Sequence, residues 1–271
     1  MTKPTDEEVL IKIQWISDGD RWKAYLLTAD EQGHKKRLLE ENKGIDLEVT
    51  KNRRCIGYIS EDGRNPCPDF NSIESGQQCY SCRQKDIHVD YVEGRSGEQR
   101  TGQHSVYLAQ IGSNVKVGVT RSSRLMRRWI EQGAIYACEL KKCEDADTAL
   151  QIESKLSDEG FKERISKKRK ANNDNTDKKM LVNSISEVVN YDIEEDTRKQ
   201  IGDNEVSEIF DVQSNSIYPN KSDNVKASRY GKINGEVQTV RGQLVFTEDQ
   251  SWAVTRGLCI EPPSQKSITD F

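Results

Sequence analysis

The stretch SVYLAQIGSNVKVGVTRSSRLMRRWIEQGA, Ser105–Ala134, decides how this chain of 271 residues is read. Two runs rich in β-branched and aromatic residues, VYLAQIG and VKVGVT, flank Ser113-Asn114 and predict a tight hairpin. A helix is predicted next, because Leu125, Met126, Trp129 and Ile130 recur at helical spacing and make one apolar face. Arg124, Arg127, Arg128 and Glu131 border that face. A glycine inside a strand, here Gly118, marks the close approach of another backbone or of a ligand. Lys116, Gly118, Arg121, Arg124, Arg127 and Arg128 therefore read as a place for a phosphate oxygen, with a solvated basic helix face as the plain alternative.

Further along, DADTALQIESKL, Asp145–Leu156, predicts a second helix whose apolar stripe is Ala146, Ala149, Leu150, Ile152 and Leu156. At about 100° per residue Glu153 falls inside that stripe. A carboxylate on the core side of a helix is costly unless it is paired or binds a metal. Two readings stay open: a buried ion pair with Arg127 or Arg128, or a magnesium ligand.

Upstream, from Arg53 to about Asp90, glycine, proline and cysteine replace apolar alternation. Cys55, Cys67, Cys79 and Cys82 fall in this segment, the last two as C-x-x-C, which sets two thiolates on one edge of a zinc tetrahedron. Zinc bound by four thiolates would supply the folding free energy that a core-poor segment lacks. His88 is an alternative ligand, while Cys138, Cys143 and Cys259 read as core or surface thiols.

The flanks read as β structure. In EEVLIKIQWIS, Val9, Ile11, Ile13 and Trp15 alternate with Lys12 and Gln14; RWKAYLLTA pairs with it across SDGD, and GIDLEVT is a third strand. KINGEVQTVRGQLVFTEDQSWAVTRG gives three or four more, able to share a sheet or barrel with the first set. Between them the chain turns polar, with one helix predicted in LVNSISEVVNYDIEEDTRKQI and linker-like flanks such as KERISKKRKANNDNTDKK. The expected fold class is α+β: an N-terminal β region (1–52), a zinc-binding module (53–100), a small α/β core (101–165), a polar, partly disordered insert with one helix (166–227) and a C-terminal β region (228–271).

Net charge is -4 and pI about 5.6, so a nucleic-acid site has to be local. With 34% hydrophobic and 32% charged residues the core is lean. No apolar run approaches the roughly 18 residues of a membrane span. The opening MTKPTDEEVL lacks the features of a signal peptide. The expected location is cytoplasmic, with no membrane partner and with cysteines reduced or metal-bound.

The α/β segment resembles the GIY-YIG nuclease pattern over about 60 residues of the 101–165 stretch. Ser105-Val106-Tyr107 stands as the first signature and Lys116-Val117-Gly118 as the second. Arg128, or Arg127 in a register shifted by one, stands as the arginine, and Glu153 as the metal-binding glutamate. Lys116 occupies the place of the second tyrosine, the arginine comes one or two residues late, and Asn172 and Asn173 lie in low-complexity chain where the late asparagine is sought. A longer pattern resembles a mainly archaeal prokaryotic family described as a domain of unknown function. Its marks here are Arg53-Arg54-Cys55-Ile56-Gly57-Tyr58, Pro66-Cys67, Gln78-Cys79-Tyr80-Ser81-Cys82, Lys116–Thr120 and Arg128–Ala134. The nuclease resemblance implies that Glu153 holds magnesium, Arg128 neutralises charge on phosphorus, and Tyr107 or Lys116 takes a proton from water. The expected function is a nucleic-acid-binding zinc protein that can serve as a metal-dependent endonuclease. The alternatives are a non-catalytic RNA- or DNA-binding module and a protein–protein scaffold, the latter in keeping with the acidic total charge.

Overall fold

The computed structural model describes residues 7–19, 21–92, 101–171, 177–189, 195, 197, 209–212 and 227–261, and every statement below concerns these. Asn172 and Asn173, and much of the segment expected to be a polar insert, lie outside them.

Strand β1 (Glu8–Asp18) is buried without alternation over its first residues, and a bulge explains why. Its register with β2 (Arg21–Asp30) slips between Leu10 and Lys12. Val9 and Ile11 pack with Leu27, Ala29, Ile56 and Phe70, whereas Leu10, Ile13 and Trp15 enter the main core. The alternation read from the sequence put Val9, Ile11, Ile13 and Trp15 on one face. One inserted residue divides them between two.

Strands β3 (Gly33–Leu39) and β4 (Gly44–Arg53) follow. Between the lysines and arginine of β3 only Leu39 is buried, so the strand carried no apolar signal and was not anticipated. The cysteine-rich segment holds a short hairpin, β5 (Tyr58–Ser60) and β6 (Gly63–Asn65), and two short helices, α1 (Tyr80–Gln84) and α2 (Ile87–Val92).

The α/β segment runs β7 (Thr101–Ile111), β8 (Asn114–Arg121), α3 (Leu125–Gln132), β9 (Tyr136–Asp145) and α4 (Ala146–Asp158). The hairpin turn is Gly112-Ser113, one residue earlier than expected, because Ile111 pairs with Asn114. α3 ends at Gly133, whose φ of 74° closes the last turn. α4 begins at Asp145, whose carboxylate accepts from the Thr148 N–H at 2.7 Å. Two helices follow, α5 (Lys167–Ala171) and α6 (Lys179–Val189), the second beginning two residues before Leu181, where the expected helix starts. The remaining strands are β10 (Phe210–Asp211), β11 (Ala227–Ser228), β12 (Gly231–Arg241), β13 (Leu244–Thr247), β14 (Ser251–Ala253) and β15 (Leu258–Glu261).

The fold is α+β. Nine strands form one sheet in the order β11-β14-β13-β12-β4-β15-β1-β2-β3, so both ends of the described chain contribute to it. A second sheet has the order β10-β9-β7-β8. Its central strand β7 is buried on both sides. Val106 and Leu108 face Ala149, Ile152 and Leu156 of α4 and Leu181 and Val188 of α6. Tyr107, Ala109 and Ile111 face Trp129 and Ile130 of α3 and the apolar side of the large sheet. α3 is thus sandwiched between the sheets, and its basic edge is held near their junction.

Polar bonds brace the large sheet beneath α3 and tie it to that helix. Trp15 Nε1 donates to the Gly242 carbonyl at 3.0 Å, and the Gln243 amide pairs with both backbone groups of Ile13, at 2.7 and 2.9 Å. Lys12 meets Glu131 of α3 at 3.1 Å. Among the described residues no helix is long and apolar enough to cross a membrane.

Candidate functional site

Tyr107 and Gly118 are directly opposed across the β7–β8 pair. A Cβ at Gly118 would lie 2.5 Å from both Cζ and Oη of Tyr107, so the glycine leaves room for the ring. The close approach that Gly118 signals is this one. The ring is fully buried and meets Trp129 edge-on, with centroids 6.3 Å apart. Its hydroxyl makes no standard hydrogen bond but lies beside Arg128. Burial pushes the Tyr107 pKa up, against the pull of the Arg128 charge.

Lys116 lies two residues before Gly118 and so on the same face of β8. It is buried, and its Nζ donates to the Glu163 carbonyl at 2.5 Å. That carbonyl is available because the chain after α4 returns along the outer edge of β8, where the Val117 N–H donates to Lys162 O at 2.9 Å. Two residues on, the Val119 N–H points the same way and meets the carboxylate of Glu153. Burial, first, and the Arg128 charge, second, lower the Lys116 pKa to about 8, although Glu153 pulls it back up.

Glu153 is half-buried on the stripe side of α4, as its spacing predicted, and has no ion-pair partner within 4 Å among the described residues. Burial raises its pKa, with Lys116 and Arg128 opposing. Arg128 is half-buried beside the Gln132 side-chain amide, one turn along α3; with that amide turned so that its oxygen faces the guanidinium, Arg128 donates to it at 3.1 and 2.9 Å. Tyr107, Lys116, Arg128 and Glu153 therefore come together from two strands and two helices. The other arginines do not join them. Arg127 lies over the Trp22 ring at 5.8 Å, and Arg121 and Arg124 are exposed where α3 begins.

Lys170 of α5 was not anticipated. Its Nζ donates to Gln132 O at 2.8 Å, and burial followed by the charges of Lys116 and Arg128 lowers its pKa to about 7. Arg256, in the turn before β15, also senses Arg128. Neither carries a local signal: one is the last lysine of a low-complexity KKRK run and the other an arginine in a turn.

The four predicted thiols form a second site. The sulfurs of Cys55, Cys67, Cys79 and Cys82 all lie within 4.8 Å of one another, with Cys67 and Cys79 at 4.0 Å. Cys55 follows β4, Cys67 follows the β5–β6 hairpin, and Cys79 and Cys82 straddle the start of α1. Gly57 permits this convergence, since its φ is 76° and a Cβ there would stand 1.9 Å from Asn65 O. Burial pushes the Cys55 thiol up to about 11 and Cys82 higher still, while Cys79, beside Ser81 and the Cys82 amide, drops to about 6. Four thiols facing one point, two of which burial holds protonated, suit a cation that would stabilise them as thiolates, so the group can hold a metal ion. His88 is exposed and stands outside it. Cys138, Cys143 and Cys259 are buried and separate.

Neither the curated proteins nor the solved structures searched contain a match to this chain. A family profile covers residues 42–256, from the start of the third predicted strand through the cysteine site and the Tyr107–Glu153 cluster to Arg256. The chain belongs to the family described as Protein of unknown function (DUF2797).

Proposed function

We propose that this protein binds a nucleic-acid backbone at the Tyr107, Lys116, Arg128 and Glu153 cluster, holds zinc at its four cysteines, and cleaves a phosphodiester bond in the manner of GIY-YIG nucleases. The observation that carries the reading is Glu153: a half-buried carboxylate with no ion-pair partner among the described residues, beside two cations that also lack one. Such a trio is costly by itself and gains from a metal ion and a phosphate. The chain order β7, β8, α3, β9, α4 and the placement of these four residues on it support the nuclease comparison. For the thiol site, sulfurs around a tetrahedral zinc at about 2.3 Å stand about 3.8 Å apart, close to the spacing seen. A reducing cytoplasm would keep the remaining three cysteines as thiols.

A magnesium ion at Glu153 would neutralise charge on a phosphate oxygen and on the leaving oxygen. Arg128 would donate to a non-bridging oxygen as charge builds on phosphorus. Lys116, held to about 8, has a neutral fraction near neutral pH. It would take the proton of the attacking water as the new P–O bond forms and the old one breaks. Tyr107 suits that role less, being covered on all sides with its pKa raised.

The test is a cleavage screen on single- and double-stranded DNA and RNA with magnesium, joined to a salt titration of binding. Glu153→Gln should abolish cleavage and leave binding unchanged or tighter, because a negative charge near phosphate is gone. Binding that falls steeply with salt, with no cleavage of any substrate, selects the non-catalytic module. The buried Tyr107 hydroxyl and the lysine at position 116 favour that second reading. No binding to any nucleic acid at low salt refutes both and leaves the scaffold.

A further inference from the structure

The segment after α4 brings two more cations to the Arg128 cluster. α5 is anchored by Ala171, buried against Leu244, Phe246 and Ala253 of the large sheet. From that anchor Lys170 reaches the C-terminal end of α3 at the Gln132 carbonyl. Lys167 reaches the loop after β14, donating to Val254 O at 2.6 Å and Thr255 Oγ1 at 3.3 Å, next to Arg256. Among the described residues no carboxylate lies within ion-pair distance of Lys116, Arg128, Lys167, Lys170 or Arg256. The acids that face the group are Glu131, already paired with Lys12 at 3.1 Å, Glu153, and the exposed Glu163. The five cations influence one another: Lys116 and Arg128 act on Lys170, Arg128 acts on Arg256, and Arg256 acts on Lys167, which also feels Arg229 beyond the group. Lys116 is buried, Arg128, Lys167 and Lys170 are half-buried, and Arg256 stands exposed beside them; like charges gathered on the four covered side chains destabilise the ligand-free protein unless an anion joins them. One phosphodiester brings a single negative charge, which is too little for a row of this length.

We propose that Lys167, Lys170 and Arg256 extend the Lys116–Arg128 site into one oxyanion pocket that takes a ligand with at least two neighbouring phosphates. This rests on the phosphate reading of the Arg128 cluster. The ligand chemistry is a chain of phosphoryl groups, from either a nucleic-acid strand or free pyrophosphate. Lys116, Lys167 and Lys170 are held to about 8, 8 and 7 in the ligand-free protein, so they are partly neutral at mildly alkaline pH. A bound anion would raise all three, and binding would then take up protons.

The experiment is calorimetric titration of the full chain near pH 8, with sodium pyrophosphate and separately with a short single-stranded oligonucleotide, in buffers of different ionisation enthalpy. The wild type should take up protons on binding. Lys170→Met and Arg256→Met should each weaken binding about tenfold or more, in line with loss of a charge-assisted hydrogen bond. Lys170→Arg, which stays charged, should keep the affinity and reduce the proton uptake. That variant also guards against a folding defect, because it preserves the Gln132 contact chemistry. Pyrophosphate binding without oligonucleotide binding upholds the pocket and refutes the nucleic-acid function. If Arg128→Ala weakens binding while Lys170→Met and Arg256→Met bind as the wild type does, the extended pocket is wrong and the phosphate site stands. If neither ligand binds the wild type, both are wrong.

Discussion

Gly118→Ala places one methyl group where no atom fits. The ideal Cβ stands 2.5 Å from Tyr107 Cζ and Oη and 3.0 Å from Cε1, roughly 1 Å short of ordinary contact. The ring cannot swing away cheaply, since it is fully buried and edge-on to Trp129. The backbone at Gly118 is ordinary strand, so the cost is overpacking alone, about 1–3 kcal/mol. For a chain of this size that lowers the melting temperature by about 2–10 °C. Tyr107→Phe should not relieve it, because Cζ remains. Tyr107→Ala should, so Gly118→Ala should cost less than about 0.5 kcal/mol in that background and the coupling should exceed about 0.5 kcal/mol. The assay is urea unfolding of the four proteins of the cycle. Equal cost of Gly118→Ala with and without the tyrosine ring would show that the glycine serves something other than that ring, such as a ligand.

Other perturbations reach the remaining parts of the argument. Cys79→Ser should release bound metal, measured by elemental analysis, and expose residues 53–92 to protease; a resistant, metal-free segment in the wild type would contradict the site. Gln243→Ala removes two bonds to the Ile13 backbone and leaves those groups buried, so it should cost about 1–3 kcal/mol in unfolding without changing phosphate affinity. Lys170 is held to about 7 in the fold against 10.5 unfolded. Between those values the unfolded chain binds the extra proton, so this residue makes ligand-free stability rise with pH across that window. Lys170→Met should therefore be most stabilising, relative to wild type, near pH 7 and below, and the difference should vanish as pH approaches 10.5. A difference that grows with pH in urea titrations would reverse the sign and refute the burial of a charged ammonium.

By itself the sequence determined the parts whose signal is local. The 3.6-residue period put Trp129 and Ile130 on the buried face of α3 and Glu153 on the stripe side of α4, because helical geometry ties spacing to direction. The cysteine count and the poverty of apolar residues around it marked the thiol group, since a segment without a core needs another source of order. Where the signal depends on partners far along the chain, only the tertiary structure decided. A single bulge reassigned Val9 and Ile11 to a different face from Ile13, and a bulge leaves no mark in composition. Arg127 and Arg128 are identical neighbours in sequence, yet about 100° of helical rotation sends one over Trp22 and the other towards Glu153. Lys170 read as solvated because its neighbours are polar, and it is half-buried because Ala171 finds an apolar seat on β13 and β14. Gly118 showed that something comes close. Which atom comes close was settled by strand register, which brings Tyr107 opposite, and register is a property of two strands together.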